Sequence, residues 1–286
     1  MELIKDINRM RTYIESIEEG KIIGFVPTMG GLHKGHLSLI RKGRGDSDVL
    51  VVSIFVNPTQ FGPEEDFESY PRDLERDIKL VEAEGADVIF APSVKEIYPD
   101  GYSTFVEVEG YLTSTLEGDS RPGHFRGVTT ILTKLFNIIS PDRTYFGEKD
   151  YQQVLVVKKL VNELNLDTQI IVLPIVREND GLALSSRNSY FDEKEREAAT
   201  ILYKSLKKAK EWTIGGEEDP ARIIRKMKEL IGKEPLAEID YIAIVGPNSM
   251  EKVQSIEGEV LIILAVKIGK VRLIDNMRVK RSMCQS

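Results

Sequence analysis

Two of the three histidines of this chain, His33 and His36, stand three residues apart in the glycine-rich segment P-T-M-G-G-L-H-K-G-H. An apolar run precedes the segment and an amphipathic run follows it, which predicts a strand that leads into a helix. Residues i and i+3 share one face of a helix. The first N–H groups of a helix and its dipole favour an anion. Two imidazoles at this point can therefore bind phosphate and stabilise charge during phosphoryl or nucleotidyl transfer.

The histidine pair also fits two roles that need no phosphate. Imidazoles near a helix start can act simply as capping groups. Zinc is the second option, but no third ligand at a matching spacing lies nearby, and the single cysteine, Cys284, lies in the tail. We favour phosphate because Gly30, Gly31 and Gly35 cost helix and strand stability, which indicates a backbone that a ligand approaches closely.

Two later loops carry amides and a cation that suit a polar, phosphorylated ligand. The segment N-P-T-Q-F-G contains Asn57 and Gln60, which can bind a polar substrate or can belong to an ordinary Asn-Pro turn. The segment G-E-K-D-Y-Q-Q contains Lys149, which can neutralise a phosphate, although the loop can also be a simple helix cap. Gln152 and Gln153 point in different directions on a helix, so we expect only one of them to face a ligand.

A third loop, L-S-S-R-N, combines two hydroxyls with a permanent cation. Ser185, Ser186 and Arg187 can clamp a triphosphate by hydrogen bonds and charge, or the serines can cap a helix. Arg121 is a candidate for binding an anion, while His124, in the same R-P-G-H-F segment, is as well explained by a structural role.

The apolar runs predict that these loops meet at one edge of a parallel sheet. Five strands are predicted at 22–26, 49–56, 87–90, 142–146 and 168–174. Helices are predicted at 2–19, 36–42, 73–85 and 127–139 and from the Gln pair to about 164; 103–108 is a further strand candidate and 116–123 a loop. Because strands and helices alternate, we predict a Rossmann-like, doubly wound parallel α/β sheet whose ligands bind at the carboxyl edge.

The pattern changes after residue 187. Helices are predicted at 193–212 and 220–231, and strands at 239–244, 259–266 and 270–273. We therefore predict two domains, a Rossmann-like domain over 1–183 and a smaller α+β domain over 184–286.

Composition excludes several classes of protein. The 286 residues carry a net charge of −7, with 41% hydrophobic and 30% charged residues, which disfavours a general nucleic-acid binder. No run approaches the length of a membrane span and the first residues do not resemble a signal peptide, so we expect no membrane association. The single cysteine allows no internal disulfide, which suits the cytoplasmic location that we expect. No Walker A loop, Gly-x-Gly-x-x-Gly or Gly-x-Ser-x-Gly motif is present where a P-loop, dinucleotide or serine-hydrolase site needs one.

Taken together, the motifs resemble the pantothenate synthetase (pantoate–β-alanine ligase) family of the nucleotidyltransferase superfamily. The resemblance spans residues 27–188 in family order, in P-T-M-G-G-L-H-K-G-H, F-V-N-P-T-Q-F, Y-P-R-D, L-E-G-D-S-R-P-G-H-F-R-G-V, F-G-E-K-D-Y-Q-Q and L-S-S-R-N. The H-K-G-H segment is similar to the "HIGH" signature, and S-S-R stands where the "KMSKS" element is expected. Gly31 departs from the family, in which alanine is the more usual residue.

The resemblance implies an ATP-dependent ligase that works in two steps. A carboxylate oxygen of pantoate attacks the α-phosphorus of Mg-ATP and gives pantoyl adenylate and pyrophosphate. The amine of β-alanine then attacks the activated carbonyl and releases AMP and pantothenate. A carboxylate is already nucleophilic at neutral pH, so such a protein mainly aligns groups and offsets phosphate charge. The resemblance also implies a homodimer and a small domain that closes as a lid.

The resemblance further implies which residues act. The catalytic group is His33, His36, Lys149, Ser186 and Arg187. Contacts to ATP are implied for Pro27, Met29, Gly35, Gly147, Lys149, Asp150, Val176, Leu184, Ser185, Ser186 and Arg187. Contacts to pantoate are implied for Met29, Gln60, Gln153, Asn57 and Arg121. Magnesium is expected mostly on the ATP phosphates, with Asp77 as the candidate carboxylate.

Two alternatives share the histidine loop. Another nucleotidyltransferase, such as a cytidylyltransferase, would release pyrophosphate without forming an amide, but the glutamine loops suit a neutral polyhydroxy acid better than a phosphorylated substrate. A non-catalytic nucleotide-binding module would keep the glycine loop but has no need for Lys149 together with Arg187.

Overall fold

The computed structural model describes residues 1–63 and 65–281, which form two units by their internal contacts. The first unit consists of residues 1–148 and 152–176. The second consists, among the described residues, of 149–151 and 177–281. The contact boundary falls after Val176, ahead of the division at 183/184 that the sequence predicts, and the predicted domain limits stay a prediction.

A parallel sheet forms the centre of the first unit. Its six strands in the described residues lie in the order β1-β4-β3-β2-β5-β6, and every pairing is parallel. The strands are β1 Glu2–Ile4, β2 Ile23–Thr28, β3 Val49–Ile54, β4 Val88–Phe90, β5 Arg143–Gly147 and β6 Gln169–Leu173. The predicted doubly wound α/β fold is thereby confirmed.

Helices cover both faces of this sheet. Phe25 and Val51 belong to one apolar core, while their neighbours Val26 and Val52 belong to another. Successive side chains of a strand point to opposite faces, so both faces are buried, as the continuous apolar strands predict. The helices are α1 Ile7–Glu15, α2 Lys34–Asp46, α3 Leu74–Ala83, α4 Val94–Ile97, α5 Glu117–Ser120, α6 His124–Ile139 and α7 Tyr151–Glu163.

Three predictions for the first unit are wrong. The helix predicted over 2–19 is divided into β1 and α1, because residues 2–4 pair in register with β4. The described residues 103–108 are not a strand; the N–H and C=O of Val106 bond instead to hydroxyls of Thr130 and Thr129. The loop predicted over 116–123 contains the short helix α5.

The second unit packs helices on an antiparallel sheet. In its described part, three strands lie in the order β7-β8-β9. The elements are α8 Glu193–Ala198, α9 Ile201–Ile214, α10 Pro220–Ile231, β7 Ala237–Val245, β8 Glu259–Ile268 and β9 Val271–Lys280. The smaller α+β unit is as predicted. None of the helices in the described residues is long and apolar enough to cross a membrane.

Two elements in this unit differ from the prediction by more than a few residues. The single helix predicted over 193–212 is wrong, because the N–H of Thr200 bonds to the carbonyl of Glu197, a tighter turn that separates α8 from α9. β9 continues to Lys280, beyond the predicted end at 273. The predicted end is too early because Asp275 and Asn276 interrupt the apolar pattern, although the structure buries both.

Candidate active site

The strand order of the first unit creates a binding crevice at the carboxyl ends of β2 and β5. From β2 the chain continues to β3 and β4 on one side, and β5 then pairs on the other side of β2. Open α/β sheets bind ligands where the connections diverge in this way. The histidine loop follows β2 directly, and Gly147 is the last residue of β5.

His33 and His36 cap helix α2 with their own rings. His33 is the N-cap residue, and its Nδ1 accepts the N–H of Gly35 at 3.1 Å. The Nδ1 of His36 accepts the N–H of His33 at 3.4 Å, and the ring centroids lie 4.1 Å apart. A ring nitrogen that accepts carries no proton, so both rings are assigned the tautomer protonated at Nε2. Each ring is then a hydrogen-bond donor at Nε2, the chemistry that a phosphate oxygen requires.

This capping changes the expected use of the helix start. The N–H of Gly35, predicted to contact ATP, donates to His33 in this structure. The tautomer set by this capping gives each imidazole an Nε2–H donor at the same helix start. The predicted ATP contact of Gly35 stays a prediction.

Asp77 of α3 holds the backbone of the histidine loop. Its side chain is 1% exposed, and its carboxylate accepts the N–H of Gly31 at 2.8 Å and that of Leu32 at 2.9 Å. Gly30 and Gly31 have φ of 82° and 61°, a conformation that strains alanine and explains the glycine at 31. Both carboxylate oxygens are thus engaged by the loop, and the magnesium contact of Asp77 stays a prediction.

Three residues predicted to bind pantoate contact one another. The side-chain amide of Gln60 donates from Nε2 to Met29 Sδ at 3.0 Å and accepts at Oε1 from Asn57 Nδ2, also at 3.0 Å. Asn57 is 1% exposed and donates to the carbonyl of Gly127 at 3.1 Å. These contacts join the loop after β3 to the histidine loop and fix the orientation of the Gln60 amide.

Arg121 already has an anionic partner in this chain. Its guanidinium contacts both carboxylate oxygens of Glu65, at 2.6 and 2.9 Å, and its Nη1 lies 3.2 Å from Nε2 of His124. Burial alone would raise the pKa of Glu65, but the hydrogen bonds and charge of Arg121 outweigh it and lower the pKa to about 2. Arg121 therefore orders the loops around Gln60, and its direct contact with pantoate stays a prediction.

The two glutamines after β5 have different surroundings, as their positions on a helix predict. Gln152 is 1% exposed; its Oε1 accepts the N–H of Glu117, and its Nε2 donates to the carbonyls of Leu112 and Thr115. The half-buried Gln153 makes no side-chain hydrogen bond to another described residue. Only Gln153 therefore keeps its amide for a ligand, and its contact with pantoate stays a prediction.

In the second unit, a buried polar group on β9 holds the segment that contains Lys149. Asn276 donates from Nδ2 to the carbonyl of Lys149 at 2.9 Å. The neighbouring Asp275 accepts from Arg177 Nη1 at 2.6 Å and from Nη2 at 2.8 Å. Burial raises the pKa of Asp275, while Arg177 and the charge of Lys149 act in the opposite direction. The backbone of Lys149 is thereby fixed by a residue that lies 127 positions later in the chain.

Arg177, Asp275 and Asn276 stand outside the motifs that the sequence marks as functional. The available signal was the Asp-Asn pair inside the strand segment V-R-L-I-D-N-M-R-V-K. Adjacent polar residues in such a run indicate that at least one of them points inward, and a buried carboxylate or amide needs a specific partner.

The L-S-S-R-N segment of the second unit forms a capped turn. Ser185 caps the 3₁₀ helix Ser186–Tyr190, and its Oγ accepts the N–H of Arg187 at 3.3 Å. The amide of Asn188 donates to the carbonyl of Ala183, and its Oδ1 is buried without a hydrogen-bond partner among the described residues. The capping role considered for the serines is therefore present, and the triphosphate contacts of Ser185, Ser186 and Arg187 stay predictions.

The other residues predicted to contact ATP lie at element ends or close to them. Pro27 pairs with Ser53 in the sheet, and Gly147 ends β5. The remaining residues are Asp150 in the 3₁₀ turn Glu148–Asp150, Val176 at the end of the first unit and Leu184 just before the capped turn. In the part of the chain that the structure describes, no three His, Cys, Asp or Glu side chains form a group that could hold a metal ion; Cys284 lies outside that part.

The sequence and the fold match one family of known proteins over nearly their whole length. Residues 2–278 match the family model described as pantoate-beta-alanine ligase. The pantothenate synthetase of Acetivibrio thermocellus is 57% identical over 281 residues, which cover 98% of this chain and 100% of that protein. The pantothenate synthetase of Carboxydothermus hydrogenoformans is 54% identical over 277 residues, 96% of this chain and 98% of that one.

Solved structures agree with the sequence comparison. The pantothenate synthetase of Thermus thermophilus superposes with a TM-score of 0.92 at 44% identity, covering 97% of this chain and 99% of that chain. The pantoate-beta-alanine ligase of Francisella tularensis, solved in complex with beta-gamma ATP and beta-alanine, gives a TM-score of 0.80 at 39% identity, with 97% of each chain covered. The chain belongs to the pantoate–β-alanine ligase family.

Proposed function

We propose that this protein condenses pantoate with β-alanine in an ATP-dependent reaction that passes through pantoyl adenylate. The observation that carries the proposal is the hydrogen bond from Gln60 to Met29, which joins a fixed, buried amide to the loop that bears both histidines. The Gln60 amide lies between the thioether of Met29 and the amide of Asn57. This uncharged environment suits the hydroxyls and carboxylate of a small polyhydroxy acid better than it suits a phosphate. Pantoate would then lie beside the Nε2–H donors of His33 and His36, which would face the nucleotide.

The first step is adenylation of pantoate. A pantoate carboxylate oxygen forms a bond to the α-phosphorus while the bond from that phosphorus to the bridging oxygen breaks, and pyrophosphate leaves with the electron pair. The Nε2–H groups of His33 and His36 are positioned by their Nδ1 contacts to donate to phosphate oxygens, on which charge increases in the transition state. No general base is needed because the nucleophile is already ionised.

The second step forms the amide. The amine of β-alanine attacks the carbonyl carbon of pantoyl adenylate, the bond to the phosphate oxygen breaks, and AMP leaves while the amine loses a proton. In the second unit, Lys149, Ser186 and Arg187 are proposed to bind the phosphate groups, and residues 184–286 to act as the lid that keeps water from the mixed anhydride. The complex of the Francisella tularensis relative with beta-gamma ATP and beta-alanine supports these two ligands.

Magnesium is proposed to enter as part of the Mg-ATP substrate. Asp77 is 1% exposed and each of its oxygens accepts a loop N–H, so the proposal assigns magnesium mainly to phosphate oxygens and water. We further propose that the protein is a homodimer in the cytoplasm. Light scattering after size exclusion measures the subunit number, and a monomer at micromolar concentration would contradict the dimer.

Pyrophosphate release tests the reaction. With Mg-ATP and pantoate alone, we expect a burst of about one equivalent of pyrophosphate per site, and with β-alanine added, steady formation of AMP and pantothenate. Turnover of cytidine triphosphate with a phosphorylated alcohol would support the cytidylyltransferase alternative. Nucleotide binding without pyrophosphate release for any acid would leave a nucleotide-binding module.

A further inference from the structure

A buried histidine that the proposed mechanism does not use lies behind Gln60. His124 is the first residue of α6 and is 7% exposed. Its Nδ1 lies 2.9 Å from the backbone carbonyl oxygen of Gln60, and its Nε2 lies 3.2 Å from Nη1 of Arg121. The ring thus connects the Arg121–Glu65 ion pair to the backbone of a residue predicted to bind pantoate.

The two partners determine the tautomer of His124. A guanidinium can only donate, so Nε2 of His124 accepts from Arg121 and carries no proton. The ring proton is then on Nδ1, where it donates to the carbonyl oxygen of Gln60, a group that can only accept. Burial and the charge of Arg121 lower the pKa of His124 to about 4, so the ring is neutral at neutral pH and this tautomer persists.

Gln60 is therefore held at both ends. Its backbone carbonyl accepts from His124 and more distantly, at 3.4 Å, from Arg121 Nη2, while its side-chain amide is held by Asn57 and Met29. The amide nitrogen of Gln60 lies 3.0 Å from Met29 Sδ, so a small rotation of the Gln60 backbone would lengthen this contact. A substrate that depends on this amide is sensitive to such a shift.

We propose that His124 is a positioning residue for pantoate recognition, which acts by donating its Nδ1 proton to the carbonyl of Gln60. The inference rests on the proposed function, because it concerns the acid that Gln60 is proposed to bind. His124 does not touch the substrate. Its effect is expected in the KM for pantoate and not in the KM for ATP.

Two amide substitutions distinguish the hydrogen bond of Nδ1 to Gln60 from the contact of Nε2 with Arg121. In His124→Asn the amide nitrogen lies near the original Nδ1 and keeps the donor to Gln60. In His124→Gln the amide lies near the original Nε2, so the contact with Arg121 is kept and the donor to Gln60 is lost. Loss of a hydrogen bond to a buried carbonyl corresponds to about a tenfold change in the equilibrium that holds the Gln60 backbone in place, and binding of an acid that needs this position falls with it.

The test is the steady-state kinetics of His124→Asn, His124→Gln and His124→Ala. We expect the KM for pantoate to rise about tenfold in His124→Gln and His124→Ala, to stay within about threefold in His124→Asn, and the KM for ATP to change little in all three. Asn137→Ala, at an exposed position of the same helix, is the matched control and should behave as the unaltered protein.

The outcomes separate this inference from the proposed function. If the unaltered protein forms no pantothenate, the proposed function fails. If it does form pantothenate but His124→Asn and His124→Gln raise the KM for pantoate equally, the donor role is wrong and His124 acts through packing. Equal increases in the KM for ATP and for pantoate would likewise overturn the proposal, and thermal unfolding of each variant shows that the fold is kept.

Discussion

At the scale of single residues, His124 and Glu65 have pKa values that both shift in the direction that destabilises the fold in acid. Burial and the charge of Arg121 lower the pKa of His124 to about 4 from its ordinary value of 6.5. Arg121 lowers the pKa of Glu65 to about 2 from 4.5, against the effect of burial. Oε2 of Glu117 lies 3.8 Å from Nη1 of Arg121, so this carboxylate also faces the guanidinium. The folded state therefore keeps neutral His124 and ionised Glu65 over a wider pH range than the unfolded chain.

The free energy of unfolding is expected to fall as the pH is lowered in two overlapping windows. Between pH 6.5 and about 4 the unfolded chain binds a proton at His124 that the folded protein does not, and between pH 4.5 and about 2 the same holds for Glu65. Urea unfolding at pH 7.5, 5.5 and 4.5 measures the loss. His124→Asn, which cannot titrate, should lose less stability between pH 7.5 and 5.5, and an identical slope in both proteins would contradict this cause.

The contact between Asn276 and Lys149 makes a second prediction at this scale. Asn276→Ala removes the donor to the Lys149 carbonyl, so the lysine is less well fixed and we expect adenylation of pantoate to slow about tenfold, with the KM for pantoate unchanged. The measurement is the rate of pyrophosphate release in a single turnover. Lys280→Ala, at an exposed position of the same strand, is the control. Full adenylation activity in a folded Asn276→Ala protein would show that Lys149 needs no such support.

The sequence identifies the side chains of the candidate site better than it identifies their partners. His33, His36, Gln60 and Lys149 stand in short motifs whose residue types point to phosphate and amide chemistry. Their supports are remote: Asp77 lies 45 positions from Leu32, and Asn276 lies 127 positions from Lys149. Such pairs form only after the strands are ordered, and one sequence contains no local pattern that specifies them.

At the scale of elements, helix α6 approaches the turn Pro58–Gln60 so closely that only glycine fits between them. A Cβ at Gly127 would lie 2.2 Å from the carbonyl oxygen of Thr59 and 2.5 Å from its carbonyl carbon, which are backbone atoms. The same approach lets Asn57 donate to the carbonyl of Gly127. Because Gly127 has no side chain, the loop that carries Gln60 can lie this close to α6.

Gly127→Ala is expected to destabilise the protein and raise the KM for pantoate, although alanine favours a helix by about 1 kcal/mol over glycine. The clash with the Thr59 backbone requires α6 or the turn to move, and overpacking of this kind costs about 1–3 kcal/mol. Gly45→Ala is the control: Gly45 lies in α2 with open space around its Cβ position, so alanine there should stabilise the protein by about 0.5–1 kcal/mol. Urea unfolding measures both, and equal stabilisation would contradict the close approach.

Elements with long apolar runs were predictable, and elements defined by pairing were not. The strands β2 and β3 carry their own apolar signal and β5 a β-branched and aromatic one, so the sequence places the edge where the site lies. The three residues of β1 are too few to show a period, and only their pairing with β4 makes them a strand. Residues 103–108 have a strand-like composition, but hydroxyls of α6 take the backbone groups of Val106 that a neighbouring strand would need.

At the scale of the whole molecule, the two units have separate apolar cores, two on the faces of the parallel sheet in the first unit and one in the second. Leu50 belongs to a core of the first unit and Leu264 to that of the second, and both are fully buried. Leu264 lies on β8, the central strand of the antiparallel sheet. Because no apolar cluster of the described residues is shared between the units, two unfolding transitions are possible, in contrast to the single transition of a small one-domain protein.

Leu264→Ala and Leu50→Ala are expected to shift different transitions in a urea titration. Each removes a buried side chain at a cost of about 2–5 kcal/mol, which applies to the unit that contains it. Fluorescence of Trp212, which packs on the core of the second unit, reports that unit directly. If both variants moved one common transition equally, the two units would unfold together and the separate cores would not act independently.

Residues 149–151 belong to the second unit, which determines where this protein can be recombined with its relatives. The guanidinium carbon of Arg278 lies over the ring of Tyr151, 5.7 Å from the ring centroid, although the two residues are far apart in the sequence. A chimera that exchanges residues from 177 onward would take Arg278 from one parent and Tyr151 from the other. The exchangeable module is therefore discontinuous, and a functional hybrid should carry the three-residue insert with the C-terminal piece.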